Sequence, residues 1–178
     1  MAKPRKTNRE HIIKITAELI NEQGKDNIGT RDIADKCNIG TATLYDYFES
    51  LDALHISVIQ YVAKDLLSVV KEDLLASSLI KTLVQYSQKN KNLWKLLFEF
   101  YPKKEDVNIT NPEKKELLEF VISRFIDYYK LKNTEENSVL ISSLIIGVIS
   151  LDLNNNLSLI AKKKPEELLL DVINKYLK

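Results

Sequence analysis

The sequence predicts an all-α protein: an N-terminal three-helix domain with a helix-turn-helix over residues 1–50, followed by a helical bundle over 51–178. Three observations carry this reading. Four Gly and four Pro in 178 residues are too few for an architecture of strands and turns. Apolar residues recur at helical spacing from residue 12 to residue 176. Two short segments, about 30–37 and 41–48, carry apolar faces that can close on one small core, and only Asn38-Ile39-Gly40 separates them.

The elements follow in order. Thr7 and Glu10 fit a capping box, and the helix they open runs through Ile12, Ile15, Leu19 and Ile20 to Gly24, a fitting stop. Ile33, Ala34 and Cys37 form the inner face of the first motif helix. Asn38 enters the left-handed region cheaply and ends it, and Gly40 is an acceptable N-cap for the second. At about 100° per residue, the second helix turns Leu44 and Phe48 inward, Ala42, Thr43 and Asp46 outward, and Tyr45 and Tyr47 onto its flanks. Ser50 caps a long helix over roughly 51–75, and further helical patterns occupy about 77–89, 91–101 and 112–130. Pro102 ends one of these and Pro112 starts the next, with the polar stretch KKEDVNITN between them as a loop. Thr134, followed by Glu135 and Glu136, opens a helix to about 153, and Pro165-Glu166-Glu167 opens the last, through Tyr176.

The outward face of the second motif helix has no large apolar residue to bury. Its N-terminal end carries Thr41, Ala42 and Thr43, small groups and hydroxyls that suit a major groove, where base edges and the thymine methyl are read. Bulk charge does not supply the attraction: the net charge is +1, which argues against a general polyanion-coating protein. Within residues 1–50, eight Lys and Arg balance eight Asp and Glu, but Lys3, Arg5, Lys6 and Arg9 gather into a basic N-terminal arm suited to a groove or to phosphates.

Other chemistries find little support. The two histidines, His11 and His55, have no Cys, Asp or Glu at metal-ligand spacing on their own helices. No HExxH, CxxC or glycine-rich phosphate loop occurs, so no enzyme activity, cofactor or metal is expected. The pairs Glu105-Asp106 and Glu135-Glu136 read as caps and solvated surface, and Lys162-Lys163-Lys164 as a solvated loop. Cys37, the single cysteine, has no intramolecular disulfide partner and reads as a small buried hydrophobe. The charged N-terminus lacks the apolar run of a secretory signal, and the most apolar segment, 139–153, is shorter than the roughly 20 residues that span a bilayer. A cytoplasmic protein with no membrane partner is expected.

The helix ending near 153 is apolar on nearly every side, and one small domain rarely covers such a helix alone. A second copy of the chain is the expected cover. Leu144, Ile145, Val148 and Ile149 would pack with Leu169, Val172, Ile173 and Tyr176 of the last helix, and with the same residues of the partner, in a two-fold four-helix interface. For a small-molecule effector, Tyr61, Tyr86, Trp94, Phe98, Phe120 and Tyr128 lie at helical spacings, with His55 and Arg124 as polar groups. Core packing explains an aromatic stripe equally well.

Residues 9–54 resemble the DNA-binding domain of the TetR/AcrR family of one-component regulators. The match rests on Ala17, Leu19 and Gly24, the TRDIA run at 30–34, TLYDYF at 43–48 and Ala53-Leu54 taken together. The resemblance implies a homodimer that places the second motif helix in the major groove, with a divergent C-terminal domain that binds an effector. Carried over by position, Thr30, Arg31, Tyr45 and Tyr47 would touch phosphates, and Thr41, Ala42 and Thr43 would approach the bases, with Gly40 also among the DNA-binding residues. Three positions depart from the pattern: Gly29 stands where a Ser or Thr cap is usual, Leu51 where a Lys is usual, and Asp46 points outward. The resulting reading is a transcriptional repressor released from palindromic operator DNA by a small molecule. The alternative is a helical assembly protein of the same fold that has lost specific DNA binding.

Overall fold

The computed structural model describes residues 7–73, 75–100 and 111–176. Among these the chain is helical, with no strand: α1 (Arg9–Gln23), α2 (Thr30–Lys36), α3 (Thr41–Tyr47), α4 (Leu51–Val70), α5 (Ala76–Lys89), α6 (Lys91–Glu99), α7 (Pro112–Tyr129), α8 (Glu135–Leu153), α9 (Leu157–Ile160) and α10 (Pro165–Tyr176). The all-α expectation therefore holds, and most helix boundaries fall within two residues of those the sequence predicts. The long fourth helix is shorter than expected, ending at Val70. A 3-10 turn over Lys25–Asn27 and the four-residue α9 have no counterpart in the sequence reading. Lys3, Arg5 and Lys6 of the basic arm, and the loop read at KKEDVNITN apart from Asn111, lie outside the described residues.

The chain divides into two compact units, Met1–Ala63 with Asn92–Pro112 and Lys64–Lys91 with Glu113–Lys178. In the first, Ile12, Ile20, Ile33, Leu54 and Val58 have no exposed surface, and Trp94 and Leu97 of α6 are almost as deeply buried. In the second, Leu66, Leu79, Ile80, Phe125, Ile141, Leu169 and Ile173 are fully enclosed, and α5, α8 and α10 pack on one another.

Local signals explain the ends of the helices. Asn8, not Thr7, caps α1, because its side chain accepts the His11 N–H at 2.8 Å. Gly24 (φ 84°) closes the same helix, with its N–H on the Ile20 carbonyl. Thr134 caps α8, as its hydroxyl and the two glutamates after it predict.

The chain itself covers one stripe of α8. Ile141, Ile145, Ile149 and Leu153, four residues apart, are buried, whereas Val139 is 63%, Leu140 42% and Leu151 36% exposed. This corrects the residue list for the expected interface. Ile145 and Ile149, with Leu169 and Ile173 of α10, belong to the interior of their own unit, since the stripes of both helices face inward. Of the eight candidates, Leu144, Val148 and Val172 are half-buried and Tyr176 is exposed.

Candidate nucleic-acid interface

The interface candidate is built on α2, α3 and the turn between them. Gly29 has no side chain with which to cap α2, and Asp32 supplies the bond instead: its carboxylate accepts the Gly29 N–H at 2.7 Å. That is half of a capping box, and it places an acidic group in the first turn, where the helix dipole favours it. At the other end, Asn38 adopts φ 54°, its N–H reaches the Asp35 carbonyl, and the Ile39 N–H reaches back to the Ala34 carbonyl, both at 3.0 Å. These two bonds make a Schellman ending, so the turn predicted at Asn38 forms by the expected backbone chemistry. Gly40 (φ −76°, ψ 153°) then starts α3 in ordinary extended geometry, with its carbonyl taking the Leu44 N–H.

Ile33, Ala34, Leu44 and Phe48 close the small core beneath this turn, each at most 4% exposed. Cys37 is buried beside them in sequence, and burial pushes its thiol pKa up, away from reactivity. Packing these residues inward leaves Thr41, Ala42, Tyr45 and Asp46 exposed, whereas Thr43, expected to face outward, is half-buried. Arg31 is exposed on α2. The fold also brings Thr30 and Tyr45 together: their hydroxyl oxygens lie 3.3 Å apart, bridging the start of α2 and the flank of α3. Tyr47 is placed differently. Its hydroxyl donates to the backbone carbonyl of Thr7 at 3.0 Å, so the proton that would meet a phosphate is engaged within the protein. Arg9 is likewise engaged, with its guanidinium donating to Ser57 Oγ at 2.8 Å and lying 4.9 Å from the Phe48 ring centroid. Sequence reasoning missed these bonds because their partners lie 40 and 48 residues apart, beyond any local periodicity.

The eight effector candidates split between the two units. His55, Tyr61, Trp94 and Phe98 belong to the first and Tyr86, Phe120, Arg124 and Tyr128 to the second. His55 is buried on α4, edge-on to Phe100, and neither ring nitrogen has a hydrogen-bond partner among the described residues. Burial, reinforced by the Lys25 charge and opposed by Asp52 and Asp26, lowers its pKa to about 4. Trp94 is buried against Phe98, and its indole N–H also lacks a partner among the described residues. Tyr61 is exposed. In the second unit, Tyr86 donates to Asp65 at 2.9 Å, Arg124 stacks on Phe120 one turn away, and Tyr128 is exposed.

Each unit also has a surface cleft. The first, about 380 Å³, is lined by Lys25, Asn92, Lys95 and Phe100 among others, and the second, about 440 Å³, by Gln88, Asp152 and Lys162–Lys164 with their neighbours. None of the eight candidates lines either one. Among the described residues there is no cluster of three or more His, Cys, Asp or Glu side chains able to hold a metal ion.

Comparison with known proteins agrees with this geometry. Residues 12–58, from the first turn of α1 into α4, match the model for bacterial regulatory proteins of the tetR family. No curated protein matches the chain. Among solved structures, a TetR transcriptional regulator from Legionella pneumophila is 20% identical, covering 97% of this chain and 98% of its own, with a TM-score of 0.63. The multidrug binding protein EbrR, solved with imidazole, is 17% identical over 97% of this chain and 93% of its own, with a TM-score of 0.65. RolR, solved with the ligand resorcinol, is 16% identical over 94% and 85%, with a TM-score of 0.67. These likenesses establish a shared fold along nearly the whole chain. The motif of α2 and α3 lies inside the matched segment, so residues 12–58 form a DNA-binding domain of the tetR type.

Proposed function

We propose that this protein is a cytoplasmic, dimeric, ligand-responsive repressor of transcription, with residues 1–50 reading operator DNA and residues 51–178 holding the effector and the partner subunit. The observation that carries the DNA-reading part is the exposed end of α3: Thr41 and Ala42 stand clear of the small core with Thr43 half-buried beside them, flanked by the hydroxyls of Thr30 and Tyr45. Such a surface suits phosphates at its rim and base edges at its tip. Two copies of α3 about one DNA turn apart would dock in successive major grooves, which makes the operator palindromic.

For dimerisation, the support is the uncovered aliphatic face of α8, where Val139, Leu140, Leu144, Val148 and Leu151 remain wholly or partly exposed, with Val172 and Tyr176 on α10. For a ligand, the support is the pair of buried polar side chains His55 and Trp94, which have no hydrogen-bond partner among the described residues. A buried donor or acceptor without a partner costs about 1–3 kcal/mol, so a small molecule that hydrogen-bonds to one of them recovers that energy. EbrR and RolR, of similar fold, were solved with imidazole and resorcinol, small ring compounds with hydrogen-bonding groups. An effector releases DNA only if it binds the released conformation more tightly than the DNA-bound one.

Binding selection from random duplexes with the full-length chain, followed by gel shift, tests the reading. A palindromic site bound by two chains, and released by a compound that also alters Trp94 fluorescence, is the expected result. A dimer that selects no sequence from the pool would favour the assembly role instead.

A further inference from the structure

We infer that the cleft between α6 and the 3-10 turn after α1 is a binding site for a small zwitterion with an apolar side chain, the chemistry of a free amino acid. The cleft, about 380 Å³, lies wholly within the first unit and falls in the roughly 300–1,000 Å³ range of small-molecule sites. One wall is a single face of α6 and its end, where Asn92, Lys95, Leu96, Glu99 and Phe100 recur at intervals of three and four residues. The other wall is Gly24 with the turn it starts, Lys25, Asp26 and Asn27. The Asn92 side chain ties the two together by donating to the Asn21 carbonyl, near the end of α1, at 3.0 Å.

The lining selects the ligand. Each wall carries one cation and one anion: Lys95 and Glu99 one turn apart on α6, and Lys25 paired with Asp26 at 2.5 Å on the turn. A simple anion would meet Asp26 and Glu99, and a simple cation would meet Lys25 and Lys95. A molecule that bears both charges avoids either conflict, with its carboxylate toward Lys95 and its ammonium toward Glu99. Gly24 leaves room for it. A Cβ at that position would stand 3.6 Å from Asn27 Nδ2 and 3.8 Å from Asn92 Oδ1, so the missing side chain opens the cleft between two amide groups, one offering a donor and the other an acceptor. Two turns along α6 from Asn92, the half-buried ring of Phe100 is held edge-on to His55 at 5.6 Å, with Lys25 Nζ 5.7 Å from its centroid. An aromatic ring fixed in this way offers an apolar side chain a surface that needs no further ordering. The inference goes beyond the regulatory reading. Because α1 packs on α2 and α2 on α3, an occupant that links α6 to the turn after α1 braces the unit that carries the motif.

Calorimetric titration of the full chain, without DNA, against L-phenylalanine, L-leucine, phenylpropionate and phenethylamine tests the site. Both amino acids should bind and raise the melting temperature with concentration, and each single-charge analogue should bind at least about tenfold more weakly than phenylalanine. Lys95→Gln should weaken phenylalanine and phenylpropionate and leave phenethylamine unchanged. Glu99→Gln should weaken phenylalanine and phenethylamine and leave phenylpropionate unchanged. The melting temperature of each variant without ligand checks that its fold is intact. The inference is overturned if neither amino acid binds at millimolar concentration, if an analogue binds as tightly as phenylalanine, or if phenylalanine binding ignores both substitutions. Such a failure leaves DNA selection by the chain untouched, whereas failure of the function reading would appear as no selected duplex and leave these titrations as they are.

Discussion

The second motif helix α3 and the long helix α8 each leave a face uncovered, and the two faces could hardly differ more. In α3, two large apolar residues, Leu44 and Phe48 at its end, are buried, and what remains outside is Thr41, Ala42, Tyr45 and Asp46. In α8, four isoleucines and leucines are buried, and Val139, Leu140 and Leu151 are still exposed. A small polar face costs nothing to leave in water and can exchange its waters for phosphates and base edges. An aliphatic face is penalised in water by about 25 cal/mol per Å², and the penalty is removed when a protein surface covers it. The comparison teaches that an exposed surface is best read by which partner would lower its free energy. α3 calls for a polyanion with hydrogen-bonding edges, and α8 for another apolar helix.

The strongest way to break the comparison is to place charges on the two sides of α8. Ile145→Asp puts a carboxylate into the interior of the second unit, which costs several kcal/mol, and should abolish cooperative melting of that unit by circular dichroism. Leu140→Asp, on the exposed face, should leave the helix content intact and convert dimer to monomer in sedimentation velocity. A Leu140→Asp chain that stays dimeric removes α8 as the interface.

Acid should separate the two units next. His55 has a folded pKa of about 4 against 6.5 unfolded, so the unfolded state binds more protons between these values. Its contribution is complete above about pH 6.5 and is lost as pH falls toward 4, a total on the order of 3 kcal/mol. The unit that holds α3 should therefore lose melting temperature between pH 7 and pH 5, and His55→Gln should flatten that dependence. Equal acid sensitivity in the variant would assign the effect to other groups.

Smaller effects sharpen the account of α3. Thr43→Ala should change discrimination at one base pair per half-site by about 1–3 kcal/mol in a binding selection. Tyr45→Phe should weaken all sequences alike by about 1–2 kcal/mol, because its hydroxyl sits on the rim with Thr30. A shift of base preference on Tyr45→Phe would mean that the helix is rotated about its axis. Asp32→Ala, which removes the substitute cap on Gly29, should lower stability by about 0.5–1 kcal/mol, visible as a drop in melting temperature.

Much of this molecule was legible in its sequence, for reasons that can be stated residue by residue. Helical periodicity located the long helices because burying one face of a helix imposes a 3.6-residue repeat on its apolar positions. The motif turn was legible because Asn38 is among the few residues that adopt a positive φ at low cost, and Thr134 and Gly24 marked helix ends through equally local chemistry. The inward and outward faces of α3 followed from the same arithmetic. Composition also fixed the class, since eight Gly and Pro in total leave too few turns for a sheet protein.

What the tertiary structure decided involves choices among residues that look alike in sequence. On α8, ten aliphatic residues are spread around the helix, and nothing local distinguishes Ile145, which is buried, from Leu140, which is not; α5 and α10 make that selection by packing on one stripe. The aromatic residues from Tyr61 to Tyr128 share one spacing pattern, yet folding assigns half of them to each unit. Tyr45 and Tyr47 flank the same helix, and only the arrival of Thr7 beside one of them turns its hydroxyl inward. Local sequence determines backbone form because its energetics act within a turn or two. The partners of a side chain are set by contacts between segments 40 to 71 residues apart, which no window of periodicity contains.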